Sequence, residues 1–177
     1  MAIDLIFQRL GGGKTLLMTL FLLIQKAKGE RVFSNYETSV TDFTVKCLDD
    51  LMQIRHGVFG WDDAYADLSS REFKKNDLSN LMCRMSRKRG LKMYMTAVRT
   101  MNIDINIRYN IDRVYMPQLM RFKDGTPFLM IVRQFDFFPE MKEGEDLQFR
   151  RKFYIRFPFL SLAMSSYNTE EEIYRLE

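Results

Sequence analysis

The sequence predicts an α/β fold: a mostly parallel central sheet flanked by helices, with antiparallel strands added along one edge. Three observations lead there. Short apolar runs alternate with helical segments over the first 117 residues. The glycine run Gly11-Gly12-Gly13 joins the first apolar run directly to a helical pattern. Beyond Pro117 the helical patterns give way to β-like runs, and Asp124-Gly125 between two of them is a strong hairpin signal.

Each element has its own justification. Residues 3–7 form a short apolar run, read as a buried strand, and the glycines break it. Residues 14–28 read as a helix that Gly29 ends. Residues 31–34 and 57–61 are further short strands, with a brief helix starting near Asp49 between them. Leu78, Leu81, Met82 and Met85 recur at i, i+3, i+4 and i+7, which marks one buried helix face. Asn76 or Asp77 caps that helix, and Gly90 ends it. Residues 91–98 form a fourth strand and residues 113–116 a fifth. Residues 119–122 and 128–135 flank the hairpin turn, and residues 151–157 alternate charge with aromatics, as a strand with one wet face does. Thr169 and Glu172 form a capping box for a short terminal helix. The whole chain, 1–177, reads as one domain, with a core over 1–117 and a β-rich extension over 118–177.

Composition narrows the function classes. The chain has 177 residues, 46% of them apolar and 28% charged, which is a globular balance and excludes a disordered chain. The longest apolar stretch, residues 16–24, is far short of the roughly 20 residues that span a membrane. Two cysteines, Cys47 and Cys83, exclude a disulfide framework, and no Cys/His spacing suits zinc. A soluble, cytoplasmic protein with reduced thiols is expected. The 13 methionines are expected mainly in the core. The net charge of +4 permits a nucleic-acid partner without requiring one.

The chemistry is concentrated at Gly11-Gly12-Gly13-Lys14-Thr15, between strand and helix. This is the context of a P-loop. Glycines let successive N–H groups converge on phosphate oxygens, and the helix N-terminus adds partial positive charge. Arg9, Leu10, Gly11, Gly12, Gly13, Lys14, Thr15 and Leu16 are thus the candidate ATP-binding residues. Lys14 would reach the β- and γ-phosphates, and the Thr15 hydroxyl would ligate Mg²⁺. Gln8 stands where the full pattern has a glycine. A second carboxylate is needed at the end of a neighbouring strand, and Trp61-Asp62-Asp63 supplies it. Asp62 is the candidate magnesium-side carboxylate. Asp63 sits where many ATPases place the glutamate that orients or deprotonates the attacking water.

The order of these motifs resembles a known group. GGGKT is followed by a strand and Asn35, then by Trp61-Asp62-Asp63-Ala64. Arg87-Lys88-Arg89-Gly90 closes a helix, Thr96-Ala97-Val98 ends a strand, and Ile103-Asp104-Ile105-Asn106-Ile107-Arg108 comes next. Tyr167-Asn168-Thr169-Glu170 lies near the end. The chain is similar to P-loop ATPases of the HerA/FtsK superfamily, in particular the small viral genome-packaging ATPases and the zonular occludens toxin-like phage proteins. The resemblance implies a RecA-like core with strand order 5-1-4-3-2. It also implies a homo-oligomeric ring, commonly a hexamer, with ATP between subunits. Relatives place Gln at the tip of the fourth strand, where this chain has Val98 after Ala97, and Thr96 is the nearby hydroxyl.

The resemblance makes Arg108 the first candidate for an arginine acting on a neighbour's nucleotide, with Arg87 and Arg89 next. Arg84, Arg87, Lys88 and Arg89 are candidate DNA contacts, and Arg71, Lys74 and Lys75 form a second basic cluster. The leading expectation is an ATP-hydrolysing translocase of double-stranded DNA, a viral genome-packaging motor subunit. Its partners would be capsid or vertex proteins, and its place the infected cell's cytoplasm or the virion. The alternatives are a zonular occludens toxin-like morphogenesis or secretion ATPase and a non-translocating nucleotide-binding scaffold. A small-molecule kinase ranks below them, because an acidic pair on the third strand suits hydrolysis.

Overall fold

The computed structural model describes residues 3–64, 88–98, 105–138 and 146–166. In chain order the elements are β1 (Ile3–Phe7), α1 (Lys14–Ala27), β2 (Val32–Ser34), β3 (Phe43–Thr44), α2 (Leu48–Gln53), β4 (Gly57–Trp61) and β5 (Leu91–Ala97). They continue with α3 (Ile105–Arg108), β6 (Ile111–Arg121), β7 (Pro127–Phe137), β8 (Leu147–Arg156) and α4 (Phe159–Met164). Among the described residues eight strands form one sheet in the order β3-β2-β4-β5-β1-β6-β7-β8. Every pair from β3 to β6 is parallel, and β7 and β8 are added antiparallel. The run β6-β1-β5-β4-β2 is the 5-1-4-3-2 order that the resemblance implies, with the two-residue β3 outside it.

Strands β1, β2, β4 and β5 bury both faces, which is why they read as continuous apolar runs. On one face α1 lays Leu17, Met18 and Leu22 against Ile6, Val58 and Tyr94, and α4 adds Leu160 and Ala163. On the other, Leu5, Phe59, Trp61 and Met93 pack with Leu51 of α2 and Ile107 of α3. Met18, Met93, Met95 and Met130 are buried in the core, whereas Met52, Met120 and Met164 are exposed. Among the described residues no helix is long and apolar enough to cross a membrane.

The fifth strand is longer than its pattern suggested. It passes through Pro117 without a break, pairing Pro117 with Val132, so residue 117 lies inside β6. The reason is local. Pairing with β1 ends at Tyr115, and the Pro117 carbonyl points to the side β1 has vacated, where Gln8 Nε2 donates to it at 3.0 Å. In a strand the N–H and C=O of one residue point the same way, so the N–H that proline lacks would have faced no strand. The turn at 122–126 closes the hairpin as expected, with Gly125 at a φ of 88°. The short helix α4 lies directly after β8. The helix expected over residues 78–90 lies outside the described residues except at its end. The 167–170 tail and the terminal capping box also lie outside them.

Candidate functional site: a phosphate loop facing an acidic pair

The parallel strands β1, β4 and β5 end side by side, with Phe7 beside Ala97 and Trp61 beside Met95. Loops leaving these ends share one edge of the sheet, where open α/β folds bind ligands. The glycine loop leaves β1 there. Gly11 and Gly13 take left-handed φ values of 75° and 86°, which a side chain would strain. Gly13 is the N-cap of α1 and makes no side-chain cap. With no acidic residue in its first turn, the helix start is built to receive an anion on its free N–H groups. Lys14, the first helical residue, is buried. Arg9 and Leu10 are exposed at the loop's outer side, whereas the Leu16 side chain belongs to the core under α1.

Gln8 substitutes for the missing glycine by filling space. Its Oε1 accepts the Arg9 N–H at 3.0 Å while its amide holds Pro117. A Cβ added to Gly12 would lie 2.2 Å from Gln8 Cγ, so Gln8 and Gly12 occupy complementary volumes. The loop also rests on the added strands: a Cβ on Gly13 would come within 2.9 Å of Met130 Cε.

Asp62 is the hub of the site. Its Oδ2 accepts the Thr15 hydroxyl at 2.9 Å, and its Oδ1 accepts the Thr96 hydroxyl. Thr96 Oγ1 in turn accepts the Asp63 N–H at 2.8 Å. From the other side the Asn35 side chain clamps the Asp62 backbone, accepting its N–H at 2.7 Å and donating to its carbonyl at 3.0 Å. Burial pushes the Asp62 carboxyl above the usual range, opposed by the Thr96 hydroxyl, reinforced by the Asp63 charge and opposed again by Thr15. Asp63 is half-buried at a φ of 50°, a conformation that aspartate tolerates better than most residues. Thr19 donates to Thr15 O within α1 and ties the helix to the segment after β2 through the Tyr36 hydroxyl, each at 2.9 Å.

Among the described residues no group of three or more His, Cys, Asp or Glu side chains could hold a metal alone. A buried carboxylate beside a hydroxyl fits the other common arrangement, in which Mg²⁺ takes one or two protein oxygens and completes its shell with phosphates and water. Thr15 and Asp62 are such a donor pair.

The structure brings Lys14, Thr15, Asp62 and Asp63 together. It does not bring Arg108 to them within one chain. Arg108 lies three residues before Ile111, which pairs with Ile3, so it sits at the opposite end of the strands from the glycine loop. It is half-buried, and its Nε has no hydrogen-bond partner among the described residues. Lys88 and Arg89 lie at that same end, just before β5. Lys88 is exposed, and Arg89 donates to the Met52 carbonyl. Arg71, Lys74, Lys75, Arg84 and Arg87 lie outside the described residues. Sequence reasoning assigned no role to Asn35 and noted Thr96 only as a hydroxyl near a strand tip. The available signal was a polar residue immediately past β2 and another near the end of β5.

No protein-family model matches the chain, and no curated protein matches it in sequence. Solved structures do match. The DNA-packaging ATPase B204 of Sulfolobus turreted icosahedral virus aligns over 85% of this chain and 97% of its own, at 12% identity and a TM-score of 0.55. The N-terminal domain of zonular occludens toxin from Neisseria meningitidis aligns over 99% of this chain and 94% of its own, at 14% identity and a TM-score of 0.54. The flagellar accessory protein FlaH of Methanocaldococcus jannaschii covers 98% and 87%, at 13% identity and a TM-score of 0.53. The glycine loop, the acidic pair and the strand order thus stand on the fold that these three structures share.

Proposed function

We propose that the chain is an ATP-hydrolysing translocase of double-stranded DNA, working as a subunit of a homo-oligomeric ring, a hexamer, in viral genome packaging. The observation that carries the nucleotide chemistry is the Thr15–Asp62–Thr96 connection, which joins the phosphate loop to the acidic pair through three strand ends. In this reading ATP lies with its phosphates on the glycine-loop N–H groups, and Lys14 draws charge from the β- and γ-phosphates. Asp63, with its backbone held by Thr96, orients a water and takes its proton as the water oxygen bonds to the γ-phosphorus. The bond from that phosphorus to the β–γ bridging oxygen breaks, leaving ADP and phosphate. Mg²⁺, when held by Thr15 and Asp62, would neutralise charge on the phosphate oxygens. Arg108 of a neighbouring subunit would stabilise the transferring group. Its position far from its own chain's glycine loop supports action in trans. Lys88 and Arg89, with Arg84 and Arg87, are the proposed duplex contacts. Capsid or vertex proteins are the proposed docking partners, in the cytoplasm of an infected cell or on the virion.

The likeness to B204 supports packaging. The likeness to the zonular occludens toxin domain, over nearly the whole chain, supports the second reading, a morphogenesis or secretion ATPase. One assay separates them: the ATPase rate with and without duplex DNA for the wild type, Lys14→Ala and Arg108→Ala. Duplex-stimulated hydrolysis lost in both variants is the expected result. Hydrolysis indifferent to DNA would favour the second reading, and binding without hydrolysis would favour a scaffold.

A further inference from the structure

We propose that the face of β6, β7 and β8 turned away from α1 and α4 is a platform for single-stranded nucleic acid. On β8, Phe153 and Ile155 point to the α1 and α4 side, so Lys152, Tyr154 and Arg156 point to the other. Their cross-strand partners on β7 are Arg133, Ile131 and Leu129. The alternate residues of β6 from Met116 to Met120 complete the surface as partners of the same β7 residues. Among the described residues, these rows from Met116 to Met120, Leu129 to Arg133 and Lys152 to Arg156 present a half-exposed to exposed face that holds three cations and no carboxylate.

The three cations are available, unlike others nearby. Arg150 pairs with Asp136 at 2.9 Å, and Arg151 Nε donates to Gln134 at 2.7 Å. Arg133, Lys152 and Arg156 are exposed, with no carboxylate partner among the described residues. The middle row carries Tyr154, 56% exposed on an edge strand, and Lys152 Nζ lies 5.1 Å from its ring centroid. An exposed aromatic among cations on an open sheet face matches what single strands require: a ring on which an unpaired base stacks and charges that follow the backbone. A duplex keeps its bases stacked inside and has nothing to offer Tyr154.

The platform also backs onto the nucleotide loop. Leu119 and Met130, which pack on Gly13, alternate along the same strands with the platform's Gln118 and Ile131. The proposal needs no nucleotide, and Lys14→Ala is expected to keep the binding, so its failure is separable from that of the ATPase reading.

The test is fluorescence anisotropy of a labelled oligothymidine, without nucleotide, against a duplex of equal length and phosphatidylserine vesicles. Unlike binding of the duplex, binding of the single strand is expected to depend on Tyr154. Tyr154→Ala should weaken it about tenfold, and Tyr154→Phe should restore it. The triple change Arg133→Gln, Lys152→Gln and Arg156→Gln should make the salt dependence shallower by about two in log–log slope. Unchanged thermal midpoints verify folding, and if Tyr154→Ala unfolds, the triple variant's slope carries the test. Oligothymidine affinity that is absent or insensitive to Tyr154 would overturn the proposal. So would duplex binding, or vesicle capture, that depends on Tyr154.

Discussion

Thr96 Oγ1 donates to Asp62 Oδ1 while accepting the Asp63 N–H at 2.8 Å, so one hydroxyl on β5 fixes both halves of the acidic pair that follows β4. Thr96→Val keeps the shape and removes both bonds. A half-buried donor and a buried acceptor are then left unpaired, at a cost of about 1–3 kcal/mol. The cost falls on the placement of Asp63 and not on the phosphate loop. Single-turnover hydrolysis should therefore slow by about tenfold to a hundredfold, with nucleotide affinity nearly unchanged. Thr96→Ser should recover most of the rate. An equal loss of affinity and rate would show that Thr96 supports the loop instead.

Gln8 and Gly12 make a second testable pair. Gly12 has no left-handed φ, so alanine there is opposed mainly by Gln8 Cγ, 2.2 Å from the new Cβ. Overpacking of this kind costs about 1–3 kcal/mol. Gly12→Ala should weaken nucleotide binding about tenfold by titration calorimetry. Gln8→Gly removes the obstructing side chain, and the double variant Gln8→Gly/Gly12→Ala should bind more tightly than Gly12→Ala alone. Additive losses would break the link between the two positions.

These pairs show what the sequence discloses and why. GGGKT and the two aspartates were legible because their chemistry is local: consecutive residues on one loop or one strand end. Thr96 and Asn35 act across 34 and 27 residues, through a parallel strand order that no local pattern encodes. The fifth strand was expected only over residues 113–116, yet β6 runs on through Pro117, on a side from which β1 has already gone. The two-residue β3 and the six-residue α4 are too short to show a period. Arg108 was legible only as a motif position, and its place at the far end of the strands follows from the register of Ile111 with Ile3.

That register yields a prediction about Arg108. A group at the opposite end of the sheet cannot touch phosphates held by its own chain's loop. Arg108→Ala should leave nucleotide affinity within about twofold of the wild type while lowering assembled turnover by about 10³-fold or more. When the two proteins are mixed, activity should fall faster than the wild-type fraction, as each variant subunit silences a neighbour. A strictly linear decline would remove Arg108 from the neighbour's site.

Asp4 gives the fold a pH dependence independent of the nucleotide. It is fully buried on β1, its carboxylate oxygens lack a hydrogen-bond partner among the described residues, and Lys92 Nζ is 3.7 Å away. Burial raises its carboxyl from the ordinary 3.8 to about 6, against the pull of Lys92 and Arg113. The native state thus holds this proton over a range where the unfolded chain has released it. Stability from this group is complete below about pH 4, declines as pH rises toward 6, and is lost above that. The difference is on the order of 2–3 kcal/mol. Urea denaturation of the wild type and Asp4→Asn at about pH 4 and about pH 8 measures it. The variant's stability relative to the wild type should be higher at the upper pH by that amount. An offset that stays constant with pH would mean that Asp4 titrates in the native state as it does in the unfolded chain, with Lys92 compensating fully for its burial.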